Sequence, residues 1–487
     1  MQRKFLSNLI LVLLLNVLVK PFYILGVDAE FLKRLEAANP GEYGEYFSIV
    51  GLTFIFNIFL DLGLSNFNTR EVARSEEHRS EYFSSILSIK FILIFAYLSL
   101  LFGSGVLLGY SDHQFYLLTF LGINQILVAF ILFFRSNLSG MLRFKEDSVV
   151  GVLDRVLLVM MCSMVLWGGI MEQELSIELF VWLQTLSYAI TLIVVVVLVL
   201  RSGNIPRVRM FHEAVIPLLR KSLPYALLVL LMTVYYRTDS VMLEQMLTNG
   251  KREAAIYAQG FRFLEAFSMV GYLFAGLLLP LFSKLIAKKE DVSPMVTLSF
   301  KLIFSIALVL AVGVYAYADE IIQARYDMDG VELANSAASL RMLMICFLGM
   351  VSTYIFGTLL TANGSLKELN IVAGLGVVLN LVLNFYWIKS DGAMGAAKAS
   401  MITQVLTALI QMILAIRLLT VRIKLNDALK FFVFTTGMVI LVIAEPIAVD
   451  SWFVGMILLF SVGAIAAVLT GMFSPKEALQ ILRSRED

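Results

Sequence analysis

The sequence predicts an all-α integral membrane protein of about 14 spanning helices. Three observations carry that reading. The 487 residues are 59% hydrophobic and 15% charged, with a mean hydropathy of +0.85, where soluble chains sit near half apolar and about a quarter charged. Apolar stretches of about 20 residues, the length that crosses a bilayer as a helix, recur from end to end. These stretches are apolar all round instead of at every second residue, which argues against a β-barrel.

The first span, Leu6–Leu25, follows Arg3 and Lys4 in the outline of a signal peptide. No small-x-small cleavage site follows and more spans do, so it reads as a retained helix. The acidic, mixed stretch Gly26 to Tyr43 holds a short interfacial helix ending near Pro40-Gly41. Spans then follow at Phe47–Leu64, Phe83–Gly109, Phe115–Phe134, Val149–Ile170, Leu179–Leu200 and Leu223–Leu247. They continue as Ile256–Phe282, Val296–Ala318, Leu340–Leu360, Ile371–Trp387, Ala397–Leu419, Phe431–Ala444 and Trp452–Phe473. Asp319 to Asn335 is the second sizeable external loop. No loop is long enough to fold as a soluble domain.

Two segments look like copies of one element. Phe134 to Leu157 reads FRSNLSGMLRFKEDSVVGVLDRVL, and Phe356 to Leu379 reads FGTLLTANGSLKELNIVAGLGVVL. Each is a helix exit, a polar break around Lys145-Glu146 or Lys367-Glu368, and a second apolar helix. A repeated membrane hairpin implies two related halves, an arrangement typical of transporters whose site lies between halves near mid-bilayer. The Arg-rich link Arg201 to Ser222, with Pro206 and Pro217, falls near the centre. It divides the chain into six-helix bundles at 1–200 and 223–420, joined by 201–222 and followed by two further helices and a tail at 421–487.

Loop charge orients the chain. With the N-terminus inside, one set of loops collects Arg70, Arg74, Arg79, Arg143, Lys145, Arg201, Arg207, Arg209, Arg220, Lys221, Lys284, Lys288, Lys289, Lys367, Arg422, Lys424, Lys430 and the basic tail Lys476, Arg483 and Arg485. The opposite loops hold Lys33, Arg34, Lys251, Arg252, Arg325, Lys389 and Lys398. That asymmetry places both termini in the cytoplasm.

An ionisable residue deep in a span costs about 2.5–3.5 kcal/mol on insertion scales, so each one is a candidate functional residue. Arg237 and Asp239, in TVYYRTDSVM, sit roughly 20 Å from the cytoplasmic end of the seventh span, too deep for easy snorkelling. In the next span Arg262 and Glu265 share a face with Gln259; either they line a polar cavity or they form an ion pair that locks two helices. Asn16 and Lys20 are four apart beside Pro21, whose missing N–H opens a kink, and snorkelling of Lys20 competes with cavity lining. Asn57 and Asp61 share a face of the second span, with a cap role favoured for Asp61. Asp154 and Arg155 are placed to pair with Lys90 or Asp61 across helices. Arg135 reads as snorkelling, Asn380 and Asn384 as interhelical glue, and Cys162 and Cys346 as buried thiols. The histidines, His78, His113 and His212, all fall in loops. HExxH, nucleophile-elbow and P-loop motifs are missing from the sequence, so no catalytic residue, metal or cofactor is expected.

In GEYGEYFSIVGLTFIFNIFLDLGLSNFNTREVAR (Gly41 to Arg74), LSGMLRFKEDSVVGVLDR (Leu138 to Arg155), LPYALLVLLMTVYYRTDSVML (Leu223 to Leu243), IYAQGFRFLEAF with LLLPLFSKL, and LLTANGSLKELN before DGAMGAAKAS, the chain resembles the O-antigen-type polysaccharide flippases. These belong to the multidrug/oligosaccharidyl-lipid/polysaccharide flippase superfamily. The resemblance implies two six-helix bundles in a V, alternating access to a cationic cavity, and no enzyme. The implied cargo is an undecaprenyl-diphosphate-linked oligosaccharide, moved to the outer leaflet of a bacterial cytoplasmic membrane, with a polymerase and glycosyltransferases as pathway partners. Lys20, Arg155, Arg237 and Arg262 are its candidate cations. Asp61, Asp154, Asp239 and Glu265 are candidate partners that align them or couple transport to H⁺ or Na⁺. The outer Gly26–Asn39 stretch departs from the pattern by its length, and Lys398 by occupying an apolar slot. A lipid II flippase or multidrug cation antiporter is the nearest alternative, but an antiporter calls for a net-acidic cavity. A membrane polymerase or glycosyltransferase, the more remote one, calls for a large outer loop. Contacts with membrane lipids are expected, and nucleic acid is not a partner.

Overall fold

The computed structural model describes residues 18–65, 68–69, 72, 79–141, 143–168, 175–201, 215–422, 424–443 and 451–472. Asn16, Arg70, Arg74, His78, Arg207, Arg209, His212, most of the 201–222 link and the basic tail lie outside them. The described secondary structure is all helix, as expected. Twelve of these helices are long and apolar enough to cross a membrane.

The chain divides into two compact units, Met1–Ala258 and Gln259–Asp487. In the first, the helix that carries Lys20 and Pro21 passes into a π-helical turn, Tyr23–Asp28, and then into α1, Ala29–Ala38. Proline removes one backbone donor, and a wider turn is a common local response. The helix therefore does not stop at Leu25, which accounts for the unusual length of the outer stretch. An Asn39-Pro40-Gly41 turn, with Gly41 at φ 94°, leads into α2, Glu42–Phe56. There follow α3, Arg79–Leu107, α4, Asp112–Gly140, α5, Phe144–Trp167, α6, Ile177–Arg201, and α7, Val215–Met246. The start of α4 has a capping box: Ser111 Oγ accepts from the Gln114 N–H while Gln114 Oε1 accepts from the Ser111 N–H. His113, expected in a loop, lies in the first turn of that helix. Phe83 stacks on Phe133 at 5.1 Å inside the apolar core of α3, α4 and α6.

The second unit begins within α8, Gly250–Ala287, and continues with α9, Ser293–Ala316, and α10, Ala318–Tyr326. The expected loop Asp319 to Asn335 is thus largely helical, because Ile321, Ile322 and Tyr326 bury one side of α10. Next come α11, Gly330–Ala362, α12, Leu366–Leu419, α13, Leu425–Ile443, and α14, Trp452–Leu469. The 54 residues of α12 are two crossings, folded at Gly392 (φ 54°, ψ −129°). In a straight helix Trp387 and Gly395 would stand about 12 Å apart, yet a Cβ on Gly395 would lie 2.0 Å from the Trp387 carbonyl oxygen. With that fold counted, thirteen expected spans are present, and Leu6–Leu25 is described only from Leu18.

Both copies of the repeated hairpin have the form expected, α4–α5 and α11–α12. The breaks fall slightly earlier, between helices that end at Gly140 and Ala362 and start again at Phe144 and Leu366. The Lys-Glu pairs sit instead in the first turns of α5 and α12, where a carboxylate meets the positive end of the helix.

Candidate functional site

The charged residues of the first unit's spans fall into separate groups. At the C-terminal end of α2 the helix does not run on to Leu64: it tightens to a 3₁₀ turn at Asn57–Leu60 and then reverses through Leu62 (φ 45°) and Gly63 (φ 85°). Breaking a helix in an apolar layer frees carbonyls that need donors. Lys90 of α3, only 1% exposed, supplies them: its Nζ donates to the Leu60 carbonyl at 3.1 Å and to Asp61 Oδ1 at 2.8 Å, with the Phe133 ring 5.4 Å away. Ser65 also donates to Asp61, through Oγ at 2.5 Å and N–H at 3.3 Å. Two expectations are corrected here. Asn57 and Asp61 do not share a regular helical face, and Lys90 and Asp61 pair with each other instead of with Asp154 or Arg155. Asn57 turns to α4, donating to Gln125 Oε1 at 2.6 Å.

The second group is built around Arg155 of α5. Its Nη1 donates to the Tyr188 hydroxyl of α6 at 3.0 Å, and its guanidinium lies 4.9 Å from the Tyr23 ring and 5.6 Å from the Tyr188 ring. Asp154 is an ionic neighbour at 3.7 Å, and its backbone carbonyl accepts from Ser187 Oγ. Lys20 lies within electrostatic reach of Arg155, Asp154 and Arg135. Arg135, read as a snorkelling residue, is tied to Asp147 at 2.7 Å.

On α7, Arg237 lies with its guanidinium 4.6 Å from the Phe54 ring and 5.2 Å from that of Tyr236. Asp239 is fully buried and accepts from the Tyr257 hydroxyl at 2.7 Å. In the second unit Arg262 donates to Glu265 at 2.7 Å across one helical turn, with Arg262 7% exposed, and Gln259 Oε1 accepts from Ser336 at 2.6 Å. Asn384 donates to Asn380 at 3.0 Å with both side chains fully buried, and both cysteines are buried.

Several groups escaped the sequence reading. At the end of the first unit where α1 turns into α2, Glu36 accepts from the N–H groups of Gly41, Tyr43 and Gly44 and from Arg252 at 3.0 Å. Burial pushes its carboxyl above the ordinary range, and those donors pull it back. Beside it Lys251 meets Glu45 at 2.6 Å, and His113 lies 2.6 Å from Glu178 and 3.4 Å from Glu45. In the second unit a cavity of about 480 Å³, lined by Phe300, Phe304, Phe356, Met412 and Phe431, carries the Lys301–Asp427 ion pair on its wall. Arg341 pairs with Asp319, and Lys398 with Asp391 at 2.7 Å, so Lys398 is matched within its own hairpin. The signal for Lys301 was in view, a lone lysine two turns into an apolar span; its partner, 126 residues away, was not.

Residues 39–286 match the model of a family described as polysaccharide biosynthesis protein. No curated protein sequence matches the chain. Among solved structures the chain is similar to the lipid II flippase MurJ in an inward closed conformation, with a TM-score of 0.70 at 15% identity over 95% of this chain and 98% of that one. It is also similar to an inward-facing multidrug resistance transporter of the MATE family and the MOP superfamily, at 0.61 and 14% over 82% and 94%. A third is a MOP superfamily transporter from Pyrococcus furiosus noted for the reversed polarity of its binding pocket, at 0.55 and 13% over 85% and 93%. At these identities the likeness is one of fold, and those proteins are transporters and flippases.

Proposed function

Because the chain belongs to the polysaccharide biosynthesis protein family, and is a multi-pass membrane protein with the fold of flippases and transporters, we propose that it flips a polyprenyl-diphosphate-linked oligosaccharide from the inner to the outer leaflet. Such a head group carries negative charge and many hydroxyls, so it needs an escorted path across hydrocarbon. The observation that carries the reading is the set of cations held inside spans, Arg155 and Arg237 in one unit and Arg262 in the other, with Lys20 beside Pro21 on the first helix. Each costs energy to insert, and arginine's planar fork suits a phosphate. Asp61, Asp154, Asp239 and Glu265 keep charges balanced and oriented, Asp61 by anchoring Lys90. The mainly apolar cavity of the second unit, with the Lys301–Asp427 pair on its wall, is the candidate surface for hydrocarbon.

An undecaprenyl carrier, an O-antigen, capsule or exopolysaccharide repeat as cargo, alternating access between the bundles 1–200 and 223–420, and both termini in the cytoplasm of a bacterial cell complete the proposal. H⁺ or Na⁺ is the coupling ion it admits, and a polymerase acting downstream is its pathway partner. Lipid II flipping is the second reading, favoured by the likeness to MurJ; it shares the polyprenyl diphosphate. The test is export in the producing strain. Arg237→Ala and Arg262→Ala are expected to abolish surface glycan while the protein stays in the membrane at wild-type level. Normal export by both variants would overturn the cationic path.

A further inference from the structure

Lys20 and Tyr23 stand three apart on the first helix, and so on one face, with Pro21 and the following π-helical turn setting their heading. Tyr23 meets the Arg155 guanidinium through its ring at 4.9 Å. Tyr188 adds a second ring at 5.6 Å and a hydroxyl that accepts from Nη1 at 3.0 Å. A free arginine side chain is mobile, and binding an anion would otherwise have to overcome the entropy of ordering it. Here two aromatic faces and one hydrogen bond, supplied by two other helices, fix both the plane and the rotation of the guanidinium. Neither tyrosine figures among the charges that a sequence reading selects.

We infer that Tyr23 and Tyr188 are positioning residues that hold the Arg155 guanidinium in the orientation that receives the diphosphate of the lipid-linked cargo. This rests on the functional reading above. The tyrosines act through Arg155: the rings hold its plane by cation–π attraction, and the Tyr188 hydroxyl occupies one of its five N–H donors, leaving others to the phosphate oxygens. The guanidinium is ordered before the ligand arrives, so its ordering cost is met on folding instead of on binding. Tyr23 contributes its face alone, whereas Tyr188 contributes face and hydroxyl. That difference makes the two separable.

The experiment is binding of undecaprenyl diphosphate to the full-length protein in lipid nanodiscs, read by native mass spectrometry, with Tm measured alongside. Arg155→Ala is expected to weaken binding about tenfold or more. Tyr23→Leu and Tyr188→Leu should each weaken it about three- to tenfold, the span of a partly desolvated cation–π contact. Tyr23→Phe should bind as wild type and Tyr188→Phe should fall between. In the Arg155→Ala background the leucine changes should add nothing, because the group they position is gone. If the leucine variants lose Tm, the phenylalanine pair decides: an unchanged Tyr23→Phe with a weakened Tyr188→Phe supports the clamp, and any other ordering overturns it. Wild-type binding by both leucine variants, or losses that persist in the Arg155→Ala background, overturns the clamp while leaving the flippase reading intact. Wild-type binding by Arg155→Ala itself removes Arg155 from the diphosphate site and the clamp with it.

Discussion

A glycine at the start of α2 shows how tightly single residues are constrained. A Cβ built on Gly44 of α2 would lie 1.8 Å from the Lys251 carbonyl oxygen and 2.8 Å from the Ala255 N. On Gly51, two turns further on, it would lie 2.6 Å from Ser240 Oγ. The backbone of α2 thus rides directly on α7 and the start of α8, the small-residue packing that lets membrane helices approach. Gly44→Ala should lower the Tm in detergent by an amount matching about 1–3 kcal/mol of overpacking. Gly276→Ala is the control, since nothing lies within 4 Å of its Cβ, and it should be neutral or slightly stabilising by helix propensity. Equal melting of the two variants would show that the seam yields freely. The charged side chains obey the same local logic. Each costs too much to leave bare, so each of the candidate arginines is met by a ring, a hydroxyl or a carboxylate.

At the scale of elements, the break in α2 turns on one lysine. Lys90→Met would leave the Asp61 carboxylate and the freed Leu60 carbonyl without their buried donor, at a cost of about 3–5 kcal/mol. Asp61→Asn added to Lys90→Met should recover part of that loss, because the uncompensated charge is gone. Thermal melts of the single and double variants check this, and no recovery in the double variant would mean that the pair does not act as a unit. This break was not legible in the sequence. NIFLDLG contains no proline and reads as a continuing apolar span, and only the backbone angles at Leu62 and Gly63 reveal the reversal. Helix number was legible, because span length and all-round apolarity are local properties. So was the repeated hairpin, whose polar pairs turned out to start helices. The turn between the two halves of α12 falls where the sequence leaves a gap between spans, but it is tighter than IKSDGAMG suggests, because the chain stays helical on both sides of the one glycine that reverses it. For the candidate site, residue types were legible and partners were not. A charge inside a span announces itself, whereas Lys90–Asp61, Lys301–Asp427 and Arg155–Tyr188 are set by tertiary packing across 29, 126 and 33 positions.

At the scale of the whole molecule, the crossings put alternate connections on opposite sides of the membrane. With the N-terminus inside, the α7–α8 turn faces outward and the α11–α12 turn faces the cytoplasm. Both native cysteines are buried, so background labelling in whole cells should be low. Thr248→Cys is expected to react with a membrane-impermeant maleimide, and Gly364→Cys only after the cells are opened. The reverse pattern would invert the proposed orientation, and with it the direction in which cargo is carried.

The reversal at Gly392 bears on how the protein is made. Only a short polar stretch around Lys389 to Gly392 separates its two apolar segments, so little chain emerges from the ribosome between them. So short a spacer favours entry of the two as a helical hairpin. A lengthened linker at that point would let the two partition separately, trading a coordinated entry for one that risks stranding the first segment alone.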